Sequence, residues 1–203
     1  MKLILEVLFS IFIGYHVYKF IQLMFKMRKD ILFPKIDEEF NTIRKYPQKP
    51  INLPTYSKQK LEIIIYSLVL LAVISMFIWT VFLEGFDAAF YLLLLLPLAN
   101  SHNLINLFAI VDNGVLSGSR FISWKKIRSF HFVPIDMNHK YYGFSAAVNE
   151  GYELILKERI FSISCIVTTE ESKVKLTQLF DEYGLDQKEN SLYKVSLESK
   201  TNK

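Results

Sequence analysis

Three long apolar blocks fill the first half of the chain, and short alternating runs fill the second. The first block extends from Leu3 to Phe25 and is followed by Lys26, Arg28 and Lys29. Glu6 interrupts it and no small-residue cleavage site follows, so the pattern predicts a retained helix over 3–25 rather than a signal peptide. The second block, Leu61 to Leu83, carries no charge after Glu62 and has Trp79 near one end, where interfacial aromatics sit. As a helix over 61–83 it rises roughly 34 Å, enough for a hydrocarbon core of about 30 Å. The third block is strongly apolar only from Ala88 to Ala99. It predicts a helix over 87–108 that is kinked at Pro97 and needs the polar run from Asn100 to Asn106 to reach the far side. Glu84-Gly85-Phe86-Asp87 leaves only a tight turn between the second and third helices.

From Leu107 the periodicity shortens. Asp112-Asn113-Gly114 separates Leu107–Val111 from Val115–Ile122, and an Asn-Gly pair between apolar runs predicts a type I′ hairpin. Further strand-like runs cover 126–133, 144–148, 152–158 and 159–167. Between them lie a long loop over 134–143 and a turn at Asn149-Glu150-Gly151. The period then becomes helical: Thr168 and Glu171 suggest a capping box, and Leu176, Leu179, Phe180 and Tyr183 share one face before Gly184. Residues 187–203 are polar and unpatterned, which predicts a disordered tail.

The predicted organisation is a transmembrane region over 1–110, a soluble domain over 111–186 and the tail. The soluble strand order resembles the bacterial pleckstrin-homology-like (PH-like) domains that follow membrane helices in uncharacterised bacterial membrane proteins. Asp112-Asn113-Gly114-Val115, then Arg120-Phe121-Ile122-Ser123-Trp124-Lys125-Lys126-Ile127, and then the closing helix carry the resemblance. It implies a small α+β domain, a PH-like antiparallel β-barrel or roll closed by a C-terminal α-helix, in a fold that serves binding and oligomerisation more often than catalysis.

Charge supplies orientation. The segment 26–60 holds nine basic and four acidic residues, a net of +5 beside +4 for the whole chain. The turn at 84–87 holds only Glu84 and Asp87. The positive-inside rule therefore predicts a cytoplasmic basic loop over 26–60, an outside N-terminus and a cytoplasmic C-terminal domain in a multi-pass cell-membrane protein. The isoelectric point near 9.0 follows from that loop and is no sign of nucleic-acid binding. Four prolines between Pro34 and Pro54 predict extended chain, with a short amphipathic helix over 36–43 lying on the membrane. A mean hydropathy of +0.23 with 22% charged residues confirms that apolar residues are segregated into blocks. The single cysteine, Cys165, forbids an intramolecular disulfide.

Candidate chemistry is sparse. Glu6, Ser10, Gly14, Tyr18 and Gln22 recur every four residues, a small and polar stripe suited to intramembrane helix packing, and His102 and Asn103 belong to a second polar group at membrane depth. His102 alone is too few ligands for a metal. Trp124, Lys125, Lys126 and Arg128 form a candidate contact with a membrane surface or partner, beside the favoured reading of a turn with a half-buried Trp124. No nucleotide fingerprint or paired-carboxylate motif is present. The expectation is a non-enzymatic membrane protein without cofactors. Its partners are the lipid bilayer and other membrane proteins or further copies of itself, and its PH-like domain acts as an interaction or assembly module. The alternative is a small transporter or channel subunit that uses the polar groups of helices one and three.

Overall fold

The computed structural model describes residues 2–82, 88–101 and 104–187. The turn at 84–87, His102, Asn103 and the tail from 188 lie outside the described residues. The chain divides into two compact units, the first formed by 1–30, 52–107 and 116–121, the second by 31–51, 108–115 and 122–203.

The first unit is a helical bundle of α1 (Lys2–Lys26), α3 (Lys60–Phe82) and α4 (Ala88–Ser101). Each helix contributes a narrow stripe to a common core: Phe9 and Ile13 from α1, Tyr66, Leu70 and Val73 from α3, and Tyr91, Leu94 and Leu98 from α4. The stripes follow i, i+3/i+4, i+7 spacing, and rings fill the seams, with Phe9 5.2 Å from Phe77 and Phe20 stacked 4.6 Å from Tyr66. The outward faces are largely apolar as well, with exposed Ser10 and Tyr18 on α1. Leu3, Ile11, Leu61, Leu71 and Trp79 are exposed, and Phe82 is 81% exposed. A helix apolar on all sides yet buried on one stripe suits hydrocarbon rather than water. Two helices, Leu3–Lys26 and Lys60–Phe82, are long and apolar enough to cross a membrane.

The third block differs from its prediction of a helix over 87–108. Helix α4 has 14 residues, and by Phe108 the chain is already in a strand. The described part of α4, Ala88–Ser101, rises about 21 Å. Residues 104–107 are not helical, because the Asn106 carbonyl accepts from Gln59 and from Asn52 N–H rather than from a helix ladder. Near that end a buried knot forms. The Gln59 side-chain amide donates to the carbonyls of Asn52 and Asn106, and Asn52 Nδ2 donates to Glu62 at 2.9 Å.

The second unit holds most of the strands, with parts of two of them, within 116–121, falling in the first. Strands β1 (Ile31–Phe33), β3 (Phe108–Val111), β4 (Gly114–Ser117) and β5 (Arg120–Ser123) are ordered β1-β3-β4-β5. Strands β2 (Ile43–Arg44), β8 (Ser162–Val167), β7 (Tyr152–Lys157), β6 (Ser129–Pro134) and β9 (Asp186–Gln187) are ordered β2-β8-β7-β6-β9. The β6-β7-β8 meander is antiparallel throughout, with Leu154 opposite Phe132 and Cys165. Its Phe130–Leu154–Cys165 face meets helix α6 (Glu170–Glu182), where Phe180 lies 4.8 Å from Phe130. These are two separate sheets, not the closed barrel that the resemblance implies.

Several local expectations shift. The 26–60 segment is not simply a loop: β1 pairs with β3, β2 pairs with β8, and helix α2 (Asp37–Thr42) joins them. Helix α2 is bound into the sheet unit, because Glu39 pairs with Lys175 of α6 and Thr42 Oγ1 lies 2.7 Å from Ser172 Oγ. The β3–β4 turn falls on Asp112-Asn113, one residue before the predicted type I′ pair, and no non-glycine residue described has positive φ. Gly114 serves close approach instead. Its φ is +154°, and a Cβ there would fall 2.0 Å from the Ile122 carbonyl oxygen. The run 144–148 is a loop and a short helix α5 (Ala146–Asn149), because Ser145 Oγ caps it by accepting from Val148 N–H. The cap of α6 is Thr169, one residue later than predicted.

Candidate functional site

The sequence singles out Trp124, Lys125, Lys126 and Arg128 as one surface, and the structure separates the first from the rest. Residues Trp124–Lys126 form a single 3-10 turn after β5. The indole of Trp124 stacks on Tyr183 at 4.4 Å and 17°, meets Phe180 edge-on, and donates from Nε1 to the Asp112 carbonyl at 2.9 Å. Trp124 thus pins the β3–β4 turn to the end of α6. With the ring turned inward, Lys125 and Lys126 are left on the exposed side.

Those lysines line an open groove of about 360 Å³ together with Arg128, Glu158, Arg159, Ile160 and Phe161. Its two walls are linked by the backbone, since Arg128 N–H donates to the Lys157 carbonyl at 2.8 Å. Glu158 N–H donates to the Phe161 carbonyl, also at 2.8 Å, which closes a four-residue turn between β7 and β8. Ile160, 80% exposed, and Phe161, 62% exposed, stand at its tip. Four cations therefore face one carboxylate around two projecting apolar side chains. Alternation of polar and apolar residues assigns 159–167 to a strand, which hides the turn. The signal that marks it is Lys157-Glu158-Arg159, three charges in a row between two apolar runs.

A second cluster lies on the β6–β7 face opposite α6. Register places His131 beside Ile155 and Glu153 beside Val133. The connection over 135–151 folds across this face, with Ile135 and Val148 packed on Ile166. Glu153, almost fully buried, fixes that connection by pairing with His139 Nε2 at 3.0 Å and Lys140 Nζ at 2.9 Å. Burial alone would raise the Glu153 pKa, but Lys140, the Ser164 hydroxyl and His139 together hold it below the ordinary carboxylate value. His139 Nδ1 accepts from Tyr141 N–H, so the neutral ring carries its proton on Nε2 and donates it to Glu153. Both ring nitrogens are engaged, which suits a latch better than a general base. His131 is buried with Nδ1 unpartnered among the described residues, and burial followed by the Lys157 charge pushes its pKa down.

No family model, characterised protein or solved structure matches the chain.

The polar stripe of α1 lies mostly away from the bundle core. Ser10, Gly14 and Tyr18 are exposed, Ser10 Oγ donates to the Glu6 carbonyl, and a Cβ added at Gly14 would meet nothing within 4 Å. Glu6 is half-buried. His102 and Asn103 lie outside the described residues. Among the described residues no three His, Cys, Asp or Glu side chains gather as a metal site. Cys165 is buried in β8 beneath α6, where desolvation pushes its thiol pKa far up and leaves it unreactive.

Proposed function

We propose that this is a non-enzymatic integral membrane protein in which a helical bundle anchors a PH-like interaction or assembly module at the bilayer surface. The outward apolar face of the bundle carries this reading. Leu3, Ile11, Leu61, Trp79 and Phe82 would expose a large apolar surface to water, and in lipid that surface is solvated. All three helices of the bundle are read as spans, α4 crossing with the help of the residues that flank it. The basic 26–60 segment favours a cytoplasmic sheet unit and an outside N-terminus by the positive-inside rule. Two mainly antiparallel sheets with a C-terminal helix support the PH-like reading. The Glu153–His139–Lys140 latch supports a binding role, since its groups hold one another rather than a reacting atom. The partners are the bilayer and either other membrane proteins or a second copy.

The test is retention of the full chain in membranes washed with alkaline carbonate, followed by mass measurement and cross-linking in mild detergent. Retention together with oligomers or a co-purifying membrane protein is the expected result. Release by carbonate overturns the anchor, and a monodisperse monomer with no partner overturns the module. A reporter fused after Lys203, active only in the cytoplasm, tests the orientation.

A further inference from the structure

The bundle's apolar face says nothing of what the groove beside β6 contacts. We infer that the groove formed by Lys125, Lys126, Arg128 and Arg159 docks on the anionic surface of a phospholipid bilayer, with Ile160 and Phe161 entering the headgroup layer. The inference rests on the membrane-anchored reading and adds the partner of one surface.

Two independent observations converge on it. The first is charge: cations from the β5–β6 connection and from the β7–β8 turn surround a groove with one carboxylate, Glu158. The second is the exposure of an aliphatic and an aromatic side chain at the tip of that turn. In water these two tips are unfavourable, whereas at a headgroup boundary they leave water while the flanking cations stay with the phosphates. The two hydrogen bonds made by Arg128 N–H and Glu158 N–H hold the arrangement in place, so docking costs little ordering. The groove is open and encloses no headgroup. Recognition is therefore of surface charge, not of one lipid: phosphatidylglycerol and phosphatidylserine serve equally at equal charge. Attachment to a bundle of membrane-length helices raises the local concentration of bilayer around the groove, so weak docking suffices.

The experiment uses the full chain carrying Ile160→Cys labelled with a nitroxide; native Cys165 is buried and escapes the reagent. The chain is reconstituted into lipid nanodiscs of phosphatidylcholine, or of phosphatidylcholine with phosphatidylglycerol. Co-elution with the discs reports anchoring, and accessibility of the label to oxygen against a water-soluble nickel chelate reports docking. The expected result is a label shielded from nickel only in the anionic discs. Each surface cation is worth roughly a fivefold preference, so Lys125→Ala with Lys126→Ala lowers the docked-to-free ratio about 25-fold, and high salt does the same. A chain that co-elutes with both discs while its label stays in water overturns the docking and leaves the anchor standing. A label equally shielded in phosphatidylcholine overturns it too, because charge then plays no part. If the chain enters neither disc, salt-sensitive co-sedimentation with phosphatidylglycerol vesicles supports the docking and overturns the anchor; no co-sedimentation overturns both.

Discussion

Replacing Trp124 by alanine separates a structural indole from one that faces a membrane. The ring makes a stacked contact with Tyr183, an edge contact with Phe180 and one hydrogen bond to the Asp112 carbonyl. Trp124 is half-buried, so about 100 Å² of apolar area leaves water, worth ~2.5 kcal/mol at about 25 cal/mol per Å². The hydrogen bond adds about 1 kcal/mol. Trp124→Ala should therefore weaken the closure of α6 on the β3–β4 turn by about 3.5 kcal/mol, an acceleration of amide exchange of about 400-fold. Trp124→Phe keeps the ring and loses the bond, at a cost of about 1 kcal/mol. Hydrogen exchange of the detergent-solubilised full chain, read over 111–124 and 176–185, measures both variants. The reasoning fails if Trp124→Ala leaves protection unchanged, or if Trp124→Phe costs as much as the alanine.

Acid should loosen the sheet unit in two stages. His131 prefers its neutral form when folded, so stability falls as pH drops below its ordinary 6.5; Glu153 prefers its charged form, so its contribution is full above 4.5 and is lost below. Thermal melts between about pH 7 and pH 2 should show both stages, and Glu153→Gln should diminish the lower one, which Glu39 shares. Gly114→Ala drives a Cβ into the Ile122 carbonyl and should cost ~3 kcal/mol or more, seen as rapid proteolysis of 108–187 in the full chain. Native Cys165 should resist maleimide until the sheet unit is unfolded by denaturant, whereas a rate near that of a free thiol would refute its burial.

The sequence shows most clearly what one-dimensional periodicity encodes. Leu61 to Leu83 carries no charge after Glu62, and α3 follows it almost residue for residue. The face made by Leu176 and Phe180 is legible because helical spacing alone identifies it, and both side chains are fully buried. What stays hidden depends on partners distant in the chain. Ile31–Phe33 and Ile43–Arg44 are too short for a strand pattern, and only pairing with β3 and β8 makes them strands. Gly114 reads as a turn residue, while the reason for it is a carbonyl eight residues away. In the groove, Lys125, Lys126 and Arg128 are visible as a cluster of letters. Arg159, Ile160 and Phe161 join them only through the β6–β7 register, whereas a half-buried Trp124 in a turn is legible and only its partner Tyr183 is not.

The sheet unit is discontinuous: its β1, α2 and β2 are translated before α3 and α4, and its remaining strands after them. A ribosome that has finished β2 has therefore produced an edge with nothing to pair it. Those residues must wait, unpaired, while two further helices are made, until β3 and β8 emerge. Such a unit cannot be transplanted by cutting at one boundary, nor acquired whole by appending a gene fragment. A fragment beginning at residue 108 would lack three elements of that unit and leave β3 and β8 with open edges, which invite pairing between chains. Any gene rearrangement that keeps the fold must carry both stretches together, so the helices between them and the sheets around them are inherited as one.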